Sequence, residues 1–262
     1  MFASDDSSGD GTPIVLLHGL TATRRYVVHG STALQRAGHR VVAYDARGHG
    51  ESDPAQPYDY PALATDLERV LDEHGLQSAV LAGASMGAHT ALRFALDHPD
   101  RVRGLVVITP AYTPDEPRDL ERWDALARGL REGGVEGFVA AYSDWPQAGD
   151  PNVPEAWKET VFRVLRQRLS RHEHPEAVAD ALEQVPRSAP FGSVDDLRAI
   201  AVPTVIVASR DAADPGHPLH VGEAYAATIP GAELIVEEEG KSPIAWQGGQ
   251  LSRVIAELAA RA

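Results

Sequence analysis

The chain has 262 residues, 43% of them hydrophobic and 24% charged, with a formal net charge of −14 and no cysteine. This is globular composition, and it excludes a largely disordered chain, a disulfide framework, a thiolate nucleophile and Cys-ligated zinc. The acidic balance repels phosphate backbones and anionic membrane surfaces, so a small-molecule substrate is the expected partner, with neither nucleic acid nor membrane.

Met1–Asp10 is acidic and Ser-rich, with no basic region and no apolar run, and is not expected to act as a secretory signal. No later stretch approaches the ~20 apolar residues of a membrane span, and the expected location is the cytoplasm. Short Val- and Ile-rich runs follow at Pro13–Leu17, Arg40–Tyr44, Ser78–Leu81, Gly104–Ile108, Pro203–Ala208 and Glu233–Val236. Runs of this kind, bounded by Gly, Pro or Asp, suit strands buried on both faces. Helical periodicity lies between them, over Tyr60–His74 and over Met86–Leu96, where His98-Pro99 ends the pattern. The alternation predicts an α/β fold with a doubly wound, mostly parallel sheet of about six to eight strands. It breaks over residues 111–194, which carry four helical patterns and half of the chain's aromatic residues. That segment is expected to be a helical cap or lid on a core made of residues 1–110 and 195–262. Its aromatics suit either the cap's own core or the lining of a ligand pocket.

The motif with the most chemistry in it is Gly83-Ala84-Ser85-Met86-Gly87, placed after a strand run and before a helical pattern. A serine on such a turn is presented with its hydroxyl exposed, and the glycines allow the strand and helix to cross closely. His18-Gly19-Leu20 ends the first run, and Asp45-Ala46-Arg47-Gly48-His49-Gly50-Glu51-Ser52 follows the second. With these three motifs the sequence resembles the α/β-hydrolase superfamily, in its lid-bearing branch of esterases, lactonases, carbon–carbon hydrolases and cofactor-free haloperoxidases. The resemblance implies Ser85 as nucleophile and the N–H groups of Leu20 and Met86 as an oxyanion hole. It implies structural roles for His18 and for the Asp45–Ser52 loop. A serine in that position, with no aspartate there, points to acyl transfer, which needs neither metal nor organic cofactor. The run Val205–Ala208 leads to Asp211 in the place of the family's acid, and Asp214 stands three residues on as a substitute.

The sequence departs from the family at the base. Lys241 occupies the expected histidine position after Glu233–Val236, and only His217 and His220 follow Asp211. His217 is the preferred base, because Asp214-Pro215-Gly216-His217-Pro218 suits a stiff turn that aims a side chain. His220, His89 and a deprotonated Lys241 are the alternatives. The expected function is a serine hydrolase that cleaves a small ester, lactone or related carbonyl compound through an acyl-enzyme on Ser85. Its alternatives are a catalytically impaired ligand-binding protein, suggested by Lys241, and an acyltransferase. Arg24 and Arg25, just after the oxyanion loop, are candidates for contact with an acidic substrate.

Overall fold

Each apolar run becomes a strand in the computed structural model, which describes residues 1–144, 155–210, 214, 216–238 and 244–262. The strands are β2 (Gly11–Leu17), β3 (His39–Tyr44), β4 (Ala79–Ala84), β5 (Val102–Ile108), β6 (Thr204–Ala208) and β7 (Glu233–Val236). With β1 (Ser4–Ser7) they form a seven-stranded sheet in the order β1-β3-β2-β4-β5-β6-β7. All neighbours from β3 to β7 pair in parallel.

Alternation along each strand sends neighbouring side chains to opposite faces. Val15 and Leu17 of β2 pack with Leu81, Val107 and Ile206 on one face, whereas Ile14 and Leu16 join Val80, Val106 and Val205 on the other. The first face is covered by α2 (Tyr60–Glu73), α3 (Met86–Asp97) and α7 (Leu219–Thr228). The second is covered by the short α1 (Ala33–Arg36) and by α8 (Gly248–Ala259), through Leu34, Leu251, Ile255 and Leu258. Burial on both faces is what the unbroken apolar runs encode. Helix α2 starts where Asp59 accepts a hydrogen bond from the Ala62 N–H at 2.8 Å, with Pro61 inside its first turn.

The acidic start forms an element that no apolar run marks. β1 runs antiparallel to β3, with Ser4 opposite Tyr44 and Ser7 opposite Val41. Its Asp5 and Asp6 project from a sheet edge, so the strand carries none of the apolar pattern that marks the others. Phe2 anchors it, edge-on to the Tyr44 ring at 6.2 Å.

Between β5 and β6 the chain forms α4 (Leu120–Ser143), α5 (Glu155–Leu169) and α6 (Pro175–Gln184). Helix α4 is kinked at Gly134, whose φ of 59° lies in the left-handed region that favours glycine. Leu126, Leu130 and Phe138 pack with Leu165, Val178 and Leu182 in a third apolar cluster. Leu20, Tyr60 and Met86 of the sheet-bearing part join that cluster, so these helices rest on the C-terminal ends of the strands. Among the described residues, no helix is long and apolar enough to cross a membrane.

Candidate active site

The parallel register brings the C-terminal ends of the central strands level. Leu17 is opposite Gly83, and Ala84 is opposite Ile108. The loops beyond these ends therefore converge, which is where open α/β sheets bind ligands. Ser85 stands at the end of β4 and directly before α3, with φ 52° and ψ −113°. A non-glycine residue at positive φ is strained by about 1–3 kcal/mol, and the surroundings hold it there. The Ser85 N–H donates to the Ile108 carbonyl at 2.9 Å, and the His89 N–H donates to the Ser85 carbonyl at 3.1 Å. The flanking glycines are required by close approach. A Cβ at Gly83 would strike the backbone of Gly87, and one at Gly87 would strike the Leu17 carbonyl.

His217 reaches this serine from the loop between β6 and α7. Its Nε2 lies 2.9 Å from Ser85 Oγ, and its Nδ1 lies 2.7 Å from Asp214 Oδ1. The tautomer follows from the chemistry. A carboxylate only accepts, so Nδ1 carries the proton and donates it to Asp214. Nε2 is then a lone-pair acceptor for the Ser85 hydroxyl. The His217 N–H also donates to the Asp214 carbonyl at 3.1 Å, which closes a tight turn around the pair. Asp211 and Lys241 lie outside the described residues, and the carboxylate found against His217 is Asp214, the substitute three residues on.

The other histidines are engaged elsewhere. His89 Nε2 accepts from the Ala111 N–H at 3.2 Å, and its Nδ1 donates to the Tyr60 hydroxyl oxygen at 3.1 Å. Burial, with the His217 charge second, pushes its pKa down to about 3, so it is a neutral strut. His220 is exposed and pairs with Glu116 at 2.8 Å.

Leu20 lines the same cavity as Ser85 and His217. Met86 is the first residue of α3, where backbone N–H groups lack intrahelical acceptors and helix polarity favours negative charge. The loop holding Leu20 is fastened by three histidines. His18 takes the Ala46 N–H on Nε2 at 2.9 Å and donates from Nδ1 to the Gly19 carbonyl at 2.8 Å. His49 donates from Nε2 to the Leu20 carbonyl at 2.7 Å. His172, between α5 and α6, accepts from the Gly50 N–H at 2.8 Å and donates to the Thr21 carbonyl at 3.2 Å. Desolvation lowers all three, His18 and His172 to about 3.

Arg24 belongs to this scaffold. Its guanidinium is buried against Asp45, its Nη2 donates to Glu51 at 2.9 Å, and its backbone N–H donates to Asp45 at 2.6 Å. Arg25 is exposed and does not line the cavity. The arginines that do line it, Arg122 on α4 and Arg168 on α5, escape a reading of sequence motifs. Their one signal is position, because Arg168 falls between Leu165 and Leu169 on the apolar face of its helix.

The cavity has a volume of about 400 Å³. Its floor is Ser85, Gly19 and Leu20, and its wall is largely Trp123, Leu126, Phe138, Val161 and Leu165. Phe138 serves both of the uses expected for the segment's aromatics, being in the apolar cluster and on the cavity wall. Such a site can hold a small, mostly apolar molecule with a polar group at the serine. Among the described residues no cluster of His, Cys, Asp and Glu could hold a metal.

Residues 12–248 match the family model described as alpha/beta hydrolase fold. The 2-hydroxy-6-oxononadienedioate/2-hydroxy-6-oxononatrienedioate hydrolase 2 of Pseudomonas putida is 32% identical over 238 residues, covering 87% of this chain and 80% of that protein. The sn-1-specific diacylglycerol lipase of Mus musculus is 42% identical over 103 residues, but the match covers 38% of this chain and 34% of the lipase. A superfamily protein of Bacillus subtilis is similarly matched over 46% of its length, so the chain spans well under two thirds of both. Among solved structures, a thermophilic esterase from Thermogutta terrifontis superposes with a TM-score of 0.74 at 28% identity, covering 99% of this chain and 93% of the esterase. An enol-lactonase from Burkholderia xenovorans shares the fold with a TM-score of 0.77 at 22% identity, covering 99% and 96% of the two chains.

Proposed function

The chain belongs to the α/β-hydrolase fold family, and from that premise we propose that it is a serine hydrolase cleaving a small ester, lactone or related carbonyl compound through an acyl-enzyme on Ser85. The observation that carries the reading is the continuous relay of Ser85 Oγ, the His217 ring and the Asp214 carboxylate, at 2.9 and 2.7 Å. Relatives named as a lipase, a hydrolase and an esterase support chemistry at a carbonyl.

In the proposed reaction the Ser85 hydroxyl attacks the carbonyl carbon while His217 Nε2 takes its proton. Asp214 stabilises the imidazolium so formed and holds the ring in the required tautomer. The carbonyl oxygen becomes an oxyanion held by the Leu20 and Met86 N–H groups. The tetrahedral intermediate collapses, the imidazolium hands its proton to the leaving alkoxide, and the acyl group remains on Ser85. Water then attacks with His217 again as base, and the acid product leaves. The same cycle with an alcohol in place of water is acyl transfer.

The helices between β5 and β6 act in this proposal as the cap that shapes the acyl site, and the turn at Ser85 acts as the nucleophile elbow. The reducing cytoplasm is the proposed location of a chain without cysteine. The binding-protein alternative rests on Lys241 in the family's histidine position. A histidine already on the serine removes the need for one there.

A fluorophosphonate probe tests the reading. It should label the protein at neutral pH on the peptide containing Ser85, and Ser85→Ala should abolish labelling. An unlabelled protein, or a label on another serine, would sink the assignment.

A further inference from the structure

Among the described residues, the cavity lining reverses the charge balance of the molecule. The chain has 38 acidic residues against 24 lysines and arginines. Several of its outer arginines are matched by carboxylates, as in Arg93–Asp97 at 2.6 Å, Arg166–Glu136 at 2.7 Å, Arg187–Asp124 at 2.8 Å and Arg261–Glu233 at 2.6 Å. Among the described residues that line the cavity, Arg122 and Arg168 are the arginines, and Asp214, which pairs with His217, is the carboxylate.

Arg168 is the more telling of the two. No carboxylate lies within ion-pair distance of it among the described residues, and its Nε is buried without a hydrogen-bond partner among them. A long cationic side chain ordinarily extends its charge to water, and a buried guanidinium with unfilled donors is costly. Desolvation lowers both arginines from their usual range, yet a guanidinium stays charged at any working pH. Arg122 is oriented by aromatic faces, 5.3 Å from the Trp123 ring centroid and 5.9 Å from that of Tyr142.

We propose that this cavity recognises a substrate carrying a carboxylate distal to the scissile carbonyl, with Arg168 as the main specificity-determining residue and Arg122 beside it. The proposal deepens the hydrolase reading and rests on it for the reaction, while recognition of the anion stands without turnover. A guanidinium fork accepts a carboxylate through paired, charge-assisted hydrogen bonds, and the dry wall of Leu126, Phe138, Val161 and Leu165 strengthens them. That wall also suits a short apolar chain between the two carbonyl groups.

The test compares monomethyl glutarate with dimethyl glutarate as substrates. The monoester should have the higher kcat/KM by tenfold or more, and the margin should shrink with added salt. Arg168→Gln should remove the margin mainly through KM, and Arg168→Lys should restore part of it. Independently, glutarate should bind Ser85→Ala in calorimetry, at least tenfold more weakly when Arg168→Gln is added. Equal kcat/KM for the two esters in the unaltered protein overturns the proposal, whether or not the variants fold. So does an Arg168→Gln effect confined to an equal fall in kcat on both esters, which would mean that Arg168 serves only the charge of Asp214. If neither ester is hydrolysed, the fluorophosphonate leaves Ser85 unlabelled and glutarate still binds in an Arg168-dependent way, the hydrolase reading fails and the anion site stands. If neither turnover nor binding is seen, the anion site falls.

Discussion

The two sides of the candidate site are held in different ways. The side that carries Ser85 and Leu20 is fastened from many directions: by crossing glycines, by the buried His18 and His49 with the half-buried His172, and by the Arg24–Asp45 pair under the loop. The side that carries His217 is held locally. Among the described residues its ring hydrogen-bonds only to Ser85 and to Asp214, three positions earlier on the same loop. The contrast teaches that the parts needing fixed backbone geometry, a strained serine and the two amide donors of the proposed mechanism, draw on the whole fold. The proposed proton shuttle needs only a ring and a carboxylate at the right spacing, and one loop supplies both.

The widest gap between the two sides is expected in catalysis. His217→Ala should cut kcat/KM on an activated ester by about 10⁴-fold or more while leaving the melting temperature nearly unchanged. Asp214→Asn should cost on the order of 10³-fold by losing the tautomer, whereas Asp211→Asn and Lys241→Ala should each change it by less than about threefold. A silent Asp214→Asn beside a damaging Asp211→Asn would move the acid back to the family position and break the comparison.

The converse applies to the fastened side. Asp45 is fully buried against a nearly buried Arg24, so Asp45→Asn should destabilise the fold by about 3–5 kcal/mol in urea unfolding. A loss under about 1 kcal/mol would show that the loop is held by its histidines alone.

A further effect concerns pH. His18, His89 and His172 have folded pKa values lowered to about 3, against about 6.5 in the unfolded chain. The unfolded state therefore binds more protons between those values. Stability is fully present above pH 6.5 and is lost as pH falls toward 3, at up to about 1.4 kcal/mol per pH unit for each histidine. Urea midpoints measured from pH 7 to pH 5 should drop accordingly, and a flat profile would show that these rings charge without cost.

Much of the frame was legible because it is written in local pattern. The runs from Pro13–Leu17 to Pro203–Ala208 are apolar because both sheet faces are covered, and the turn at Ser85 is marked by glycines that nothing larger can replace. The histidine placed against Ser85 was legible from the prolines around His217 and from the short supply of later histidines. The carboxylate was ambiguous, since Asp211 and Asp214 stand in one loop and only the direction of the His217 ring separates them. Arg168 was hidden because a charge on a helix is ordinarily solvent-facing, and its helix had first to be placed against the cavity. β1 was hidden because edge strands need no apolar face.

The sheet ends on two edge strands among the described residues, β1 and β7, each of four residues. β1 carries Asp5 and Asp6 on its edge, whereas β7 leaves Leu234 exposed. β7 has four residues, so only about two of them turn backbone groups outward, and its first residue is tied to α8's end through Glu233–Arg261 at 2.6 Å. So short and charged an edge is a poor template for a foreign strand. With a net charge of −14 adding mutual repulsion, concentrated solutions of the folded protein should resist edge-to-edge aggregation.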